Sequence, residues 1–236
     1  MRNLRQKHIK NKGMKKNLFF ILLILSTFSY GQGRKFLKDK IREWGECKNV
    51  AMTLTGGDVA LKGKNGWAAS GVPKSLTNKL SLLNENNELI DDIVLTEDGR
   101  WLILWGNNGI SSYSTPSSLD RKLTEWNENG EIINSITFND NGDWVVISKT
   151  KFSASSSKII DWISDGEQKY GELWAASMTN TGLVVVYERG YKFLGDVPST
   201  LKNKLDETKL NVFRLKFLSD GAYFIADFDG NYAYYF

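Results

Sequence analysis

Leu119-Asp120-Arg121-Lys122-Leu123-Thr124-Glu125-Trp126, then Asn141-Gly142-Asp143, then Trp144-Val145-Val146-Ile147 hold the pattern on which the whole chain is built. Apolar residues at positions one, five and eight put one stripe on a helix, and the glycine turn leads into a wholly apolar run of strand length. The helix stripe recurs as Leu37-Ile41-Trp44, Leu76-Leu80-Leu83, Ile159-Ile163 and Leu201-Leu205, with starts separated by 39, 43, 40 and 42 residues. The glycine turn recurs in step, at Gly57, Gly99, Gly142, Gly182 and Gly221. Two registers with one period mark a repeat architecture.

Each unit reads helix, strand, strand, short strand. The first strands are predicted at Val50 to Leu54, Leu89 to Leu95, Ile132 to Phe138, Leu173 to Met178 and Asn211 to Phe217. Ile93 and Leu95, or Ile136 and Phe138, alternate with Asp92, Ser135 and Thr137, which predicts strands with one face fully buried and the other mostly polar. Trp101 to Leu104, Trp144 to Ile147, Val184 to Tyr187 and Tyr223 to Ala226 are apolar on both sides and belong between two packed layers. Asp98-Gly99 and Asn141-Gly142 suit two-residue hairpin turns with both central residues at positive φ. Short third strands follow, such as Ile110 to Ser114 and Asn231 to Phe236. Pro73, Pro116 and Pro198 each precede a helix stripe by three residues and fit the first helical turn, with Thr115 as an N-cap. Asn129-Gly130, Gly166 and Gly45 read as helix stops.

Units of about 40 residues with antiparallel strands resemble the blades of a β-propeller, including the small five-bladed propellers found among lectins. The resemblance spans residues 34 to 236, with units at about 34–72, 73–115, 116–155, 156–197 and 198–236. It implies a mainly β fold with short helices: a five-bladed propeller-like ring in which a helix replaces the outermost strand of each blade. The described pattern opens on a helix, Phe36 to Trp44, and closes on three strands, so the N-terminal helix would close the last blade. The Gly-His and Trp-Asp pairs of WD40 blades are absent, and no functional residue carries over from that family. The alternative architecture is an open α/β solenoid of the same units.

Residues 1 to 31 carry Lys and Arg, then the apolar run Leu18 to Leu25, then Ser29-Tyr30-Gly31, which is the layout of a signal peptide cleaved before Gln32. Met14 is the expected true start, and 32–236 a single exported domain of the periplasm, cell surface or medium. An uncleaved N-terminal anchor is the alternative; the apolar core falls short of the roughly 20 residues of a membrane span. The leader holds 7 of the 31 basic residues and no acidic ones, so the rest has 24 against 27 and a formal charge of −3. A mildly acidic domain without a Lys/Arg run lacks the footprint of a nucleic-acid binder.

The only histidine is His8, inside the leader, and the only cysteine is Cys47. That excludes Ser-His-Asp and Cys-His catalysis, an internal disulfide and zinc sites built on His and Cys in the exported domain. Cys47 reads as a small buried apolar residue. Asn139-Asp140-Asn141-Gly142-Asp143 lacks the spacing of a calcium loop and reads as a turn, as does Asp227 to Asn231. No metal and no cofactor is expected.

Function is sought where the units differ. Six residues after the turn glycine stand Gly63, Trp105, Ser148, Glu188 and Asp227, at the ends of buried strands that converge on one rim. Trp105, Ser148, Glu188 and Asp227 offer an aromatic face and hydroxyl-binding carboxylates, the composition of a sugar site. The plainer reading is exposed strand ends. Asp92, Ser135, Thr137, Ser177, Arg214 and Lys216, on the polar side of the first strand, would line a central channel if that strand is innermost, with Asp92 and Arg214 as an ion pair. The expected function is therefore a non-enzymatic binding module, lectin-like, with a glycan as ligand; eight tryptophans and nine tyrosines suit it. The alternatives are a protein-interaction scaffold of the cell envelope and a glycoside hydrolase drawing a carboxylate pair from Asp91, Asp92, Glu188 and Asp227.

Overall fold

A computed structural model describes residues 34–236 and shows five repeated units, each a helix followed by a three-stranded antiparallel sheet. The proposed leader lies outside the described residues. Helix α1 covers residues 34–44, and β1 (Asn49–Met52), β2 (Asp58–Lys62) and β3 (Gly66–Ser70) form the first sheet. Helix α2 (Lys74–Glu85) precedes β4 (Ile90–Leu95), β5 (Trp101–Trp105) and β6 (Gly109–Tyr113). Helix α3 (Ser117–Glu128) precedes β7 (Ile133–Phe138), β8 (Trp144–Ser148) and β9 (Phe152–Ala154). Helix α4 (Ser157–Tyr170) leads to β10 (Leu173–Met178), β11 (Gly182–Tyr187) and β12 (Gly190–Gly195), and α5 (Ser199–Glu207) to β13 (Arg214–Phe217), β14 (Tyr223–Ala226) and β15 (Tyr232–Tyr235).

The middle strand of each sheet is apolar on both sides because both sides are covered. In β5, Trp101 and Ile103 pack with Leu76, Leu80 and Leu83 of α2 and with Ala51, Val59 and Leu61 of the first sheet. Leu102 and Leu104 of the same strand pack with Leu119, Leu123 and Trp126 of α3 and with Ile136 and Val146 of the third sheet. Each helix thus sits between two successive sheets and does not extend either as an outer strand. Helix α1 obeys the same rule: Leu37 and Ile41 join Val50 and Ala60 of the first sheet to Phe224 and Ala226 of the fifth. Trp101 and Trp144 are buried, and each indole N–H donates to the serine near the start of the preceding helix, Ser75 at 3.0 Å and Ser118 at 2.9 Å. The polar edge of a core aromatic is satisfied without leaving the core.

The first strands differ from expectation on their polar side. Asp92, Ser135, Thr137, Ser177 and Arg214 are buried, so both faces of these strands are covered. The reason is that first strands contact one another: β1 meets β4, β4 meets β7, β7 meets β10, β10 meets β13, and β13 meets β1. Their polar residues face other polar residues instead of water.

Several local readings are corrected by the backbone. Pro73, Pro116 and Pro198 occupy the N-cap position, with φ of −57°, −56° and −58° and extended ψ, one residue before the helix. Thr115 therefore does not cap; its hydroxyl donates to the Asp120 carboxylate. The Asp-Gly and Asn-Gly turns are wider than two residues: the Gly99 amide donates to the Thr96 carbonyl and the Thr96 amide to the Arg100 carbonyl, while only Gly99 takes positive φ. In the first unit the positive φ belongs to Gly56, not Gly57.

Gly166 does not stop its helix. It lies within α4, which runs to Tyr170 and ends on Gly171. Tyr187 explains the glycine: its hydroxyl donates to the Ile163 carbonyl at 3.0 Å, and a Cβ on Gly166 would stand 2.1 Å from that hydroxyl oxygen. Gly166→Ala should destabilise by about 1–2 kcal/mol, although alanine is the better helix former by about 1 kcal/mol. Urea denaturation of Gly166→Ala against wild type checks it.

Candidate functional site

Strands β4, β7 and β10 each carry a β-bulge near their start, where the register slips between Ile90 and Asp92, Ile133 and Ser135, and Leu173 and Ala175. The unpaired residues are Asp91, Asn134 and Trp174. Bulges re-aim side chains, and these three line one hollow of about 400 Å³ at the end of the sheets opposite the glycine turns. Phe213, the residue just before β13, stands at the same place in the fifth unit and lines it too, with Glu172, Leu173, Arg214 and Phe228.

The hollow has an aromatic wall and a charged side. Phe213 and Phe228 stack at 3.8 Å between ring centroids, and Trp174 meets Phe228 edge-on at 6.2 Å. Phe228 stands at the tip of the β14–β15 turn and is 67% exposed. An exposed ring backed by two others is a preformed platform for an apolar ligand face. The Arg214 guanidinium lies 3.9 Å from the Phe213 ring centroid, donates to Asp91 at 2.9 Å and donates to the Asn134 carbonyl at 3.0 Å. Those bonds fix Arg214, Asp91 and Asn134 relative to one another. Lys48 stands beside this group; burial, reinforced by Arg214 and opposed by Asp91, pushes its ammonium down to about 8.

Below the hollow, the polar residues of the first strands are joined by ion pairs. Lys216 donates to Asp92 at 2.8 Å, and Asn49 Nδ2 donates to the same carboxylate at 2.7 Å. Burial alone would raise the Asp92 carboxyl, but Lys216 and Arg214 with the two hydrogen bonds outweigh it and hold it below the usual range. Arg214 pairs with Asp91, not with Asp92 as expected. The Thr137 hydroxyl accepts the Met178 amide at 3.0 Å and the Ser135 hydroxyl the Ala176 amide at 3.4 Å. Thr137, Ser177 and Lys216 border a small hollow of about 40 Å³. Arg214 and Lys216 of the fifth unit thus tie the second and third units across the space between the first strands.

Trp105, Ser148, Glu188 and Asp227 fall at the same end of the sheets, but each makes its contacts within its own unit. Trp105 is half-buried against Lys79, its indole N–H donates to Ser111 at 2.9 Å, and it borders a side hollow shared with Asp91 and Asn134. Ser148 donates to Glu131 at 2.9 Å. Asp227 accepts the amides of Asp229 and Asn231 at 3.0 and 2.8 Å and so builds the turn that presents Phe228. Glu188 is exposed and its amide donates to the Glu172 carbonyl. The residues missed in the sequence are Trp174, Phe213, Phe228, Asn134 and Glu172. A signal exists: Asp91, Asn134, Trp174 and Phe213 each stand eight residues before the turn glycine.

Among the described residues no group of three or more His, Cys, Asp or Glu is placed to hold a metal ion, and no helix is long and apolar enough to cross a membrane. Cys47 is buried, and burial pushes its thiol up to about 12, the state of an inert core residue. No protein-family model matches the chain, and no curated protein matches it. Among solved structures the chain is similar to YCF48 bound to D1 peptide, a propeller, at 11% identity and a TM-score of 0.28. That likeness covers 80% of this chain and 62% of that one, so the chain spans less than two thirds of its length.

Proposed function

We propose that this chain is an exported, non-enzymatic binding module whose five units form a closed, propeller-like ring, with α1 completing it between the fifth and first sheets, and that it binds a glycan in the hollow at Trp174 and Phe228. The carrying observation is the exposed, stacked aromatic platform beside Asp91, Asn134, Glu172 and Arg214. A sugar ring presents an apolar face to such a platform and hydroxyls to such acceptors and donors. The ion pairs of Asp91 and Asp92 commit two of the hydrolase candidates to structure and favour binding over glycoside cleavage.

Tryptophan fluorescence during titration with oligosaccharides chosen from a glycan array tests the reading. A saturable shift is expected for wild type and for Trp105→Ala, with at least a tenfold loss of affinity in Trp174→Ala and in Phe228→Ala, each folded by circular dichroism. Binding that survives both losses, or no binding to any glycan, overturns it. A second reading, a protein partner, is favoured by the exposed Leu89, Ile132 and Phe228 at this same end. It predicts that Ile132→Asp blocks partner binding while leaving glycan binding unchanged.

A further inference from the structure

The opposite end of the sheets holds a second, independent hollow, of about 230 Å³, built by all five units. The last residue of each first strand supplies its floor: Met52, Leu95, Phe138, Met178 and Phe217. These five carbon- and sulfur-bearing side chains also roof the small hollow lined by Lys216, so they separate this cup from the ion pairs beneath. Two of the five are methionines, which adapt their shape to a guest.

The rim is polar and preformed. The Glu97 carboxylate accepts the amides of Leu54 at 2.6 Å and Thr55 at 3.2 Å, which belong to the preceding unit. Asp140 accepts the Asp98 amide at 3.3 Å and the Asn180 side-chain amide at 2.6 Å, again bridging neighbouring units. Asn139 Nδ2 donates to the Thr179 carbonyl at 3.1 Å. The rim's two asparagine side-chain amides, of Asn139 and Asn180, are thus engaged inside the protein. Its only charged lining groups are Glu97 and Asp140, both carboxylates; the nearest compensating cation, Arg100, stands outside the lining at 3.6 Å from Asp140.

We infer that this cup is a binding site for a small amphiphilic cation: an apolar body about the size of one aromatic ring, seated on the five-residue floor, with an ammonium at the carboxylate rim. Size supports the body, since an apolar cavity of about 150 Å³ holds a benzene. Sign supports the head. Two fixed carboxylates beside a low-dielectric floor attract a cation and repel an anion, and the lining carries no cationic side chain to offset them. This site is separate from the glycan hollow and stands or falls independently of it.

The test uses the full chain with ¹³C-labelled methionine methyl groups, of which Met52 and Met178 report the cup. Titration with 2-phenylethylammonium should move both resonances saturably. 2-Phenylethanol should bind more weakly, and 3-phenylpropionate at least tenfold more weakly than the amine. Asp140→Asn should narrow the gap between amine and carboxylate severalfold, Met178→Trp should abolish binding by filling the cup, and Trp174→Ala should leave it unchanged. Unmoved Met52 and Met178 resonances with all three probes, or a carboxylate that binds as tightly as the amine, overturns the proposal. The wild-type comparison of three probes that share the phenylethyl body decides it even where a substituted chain fails to fold.

Discussion

Lys216→Met is expected to destabilise the domain by about 3–5 kcal/mol, the cost of leaving a buried charge without its partner. The carboxylate in question is Asp92, which is 1% exposed and receives Lys216 at 2.8 Å and Asn49 at 2.7 Å. With the ammonium gone, Arg214 remains as a more distant charge, already committed to Asp91 and to the Asn134 carbonyl. The orphaned carboxylate must then take up a proton or draw in water. Asp92→Asn/Lys216→Met keeps the hydrogen-bonding amide and removes both charges, so it should recover most of the loss, because a neutral pair pays no desolvation of ions. Urea denaturation of the two single variants and the double variant measures the coupling. A coupling below about 1 kcal/mol would mean that the pair is solvated like a surface bridge, against its burial.

That ion pair also marks how far the sequence carries. The helix stripes, the turn glycines and the doubly apolar middle strands were legible because each reports a single local periodicity, and the structure places every one of them in a unit. Asp92, Arg214 and Lys216 were recognisable as the polar side of the first strand. Their burial was not, since it depends on residues 123 and 124 positions apart meeting across the space between the first strands. The aromatic hollow was missed for a related reason. Asp91, Asn134 and Trp174 occupy bulges, which break the period-two count that sequence reading relies on. Phe228 was hidden inside a turn motif read for its carboxylates. Gly166 misled because a glycine near a helix end usually marks a stop, whereas here it makes room for a tyrosine from another element.

The domain should also lose stability as pH rises from about 5 to about 7.5, through Asp58. This aspartate begins β2, is 0% exposed, and neither carboxylate oxygen has a hydrogen-bond partner among the described residues. Arg34, the cation that acts on it, is itself paired with Asp220 on the turn of the fifth unit. Burial pushes the Asp58 carboxyl up to about 7; Arg34 opposes the rise, and Asp220 and Glu97 add to it. The folded state therefore holds this proton more tightly than the unfolded chain, whose aspartates titrate near about 3.9. Where the folded state binds more protons, stability falls with rising pH. The penalty is absent below about pH 4, grows through the interval, and is complete above about pH 7, where it amounts to about 2–4 kcal/mol. Asp92 and Asp98 are held low, so their contributions disappear only in acid, below this window. Lys48, lowered to about 8, is still mostly protonated at the upper measurement. Asp58→Asn should consequently be flatter between about pH 5 and about pH 7.5, with its advantage over wild type larger at about pH 7.5 than at about pH 5. Denaturation midpoints at the two pH values read the difference directly. Equal slopes for wild type and Asp58→Asn would show that the carboxylate has found a partner or water in solution, and would remove Asp58 as the group that ties stability to pH.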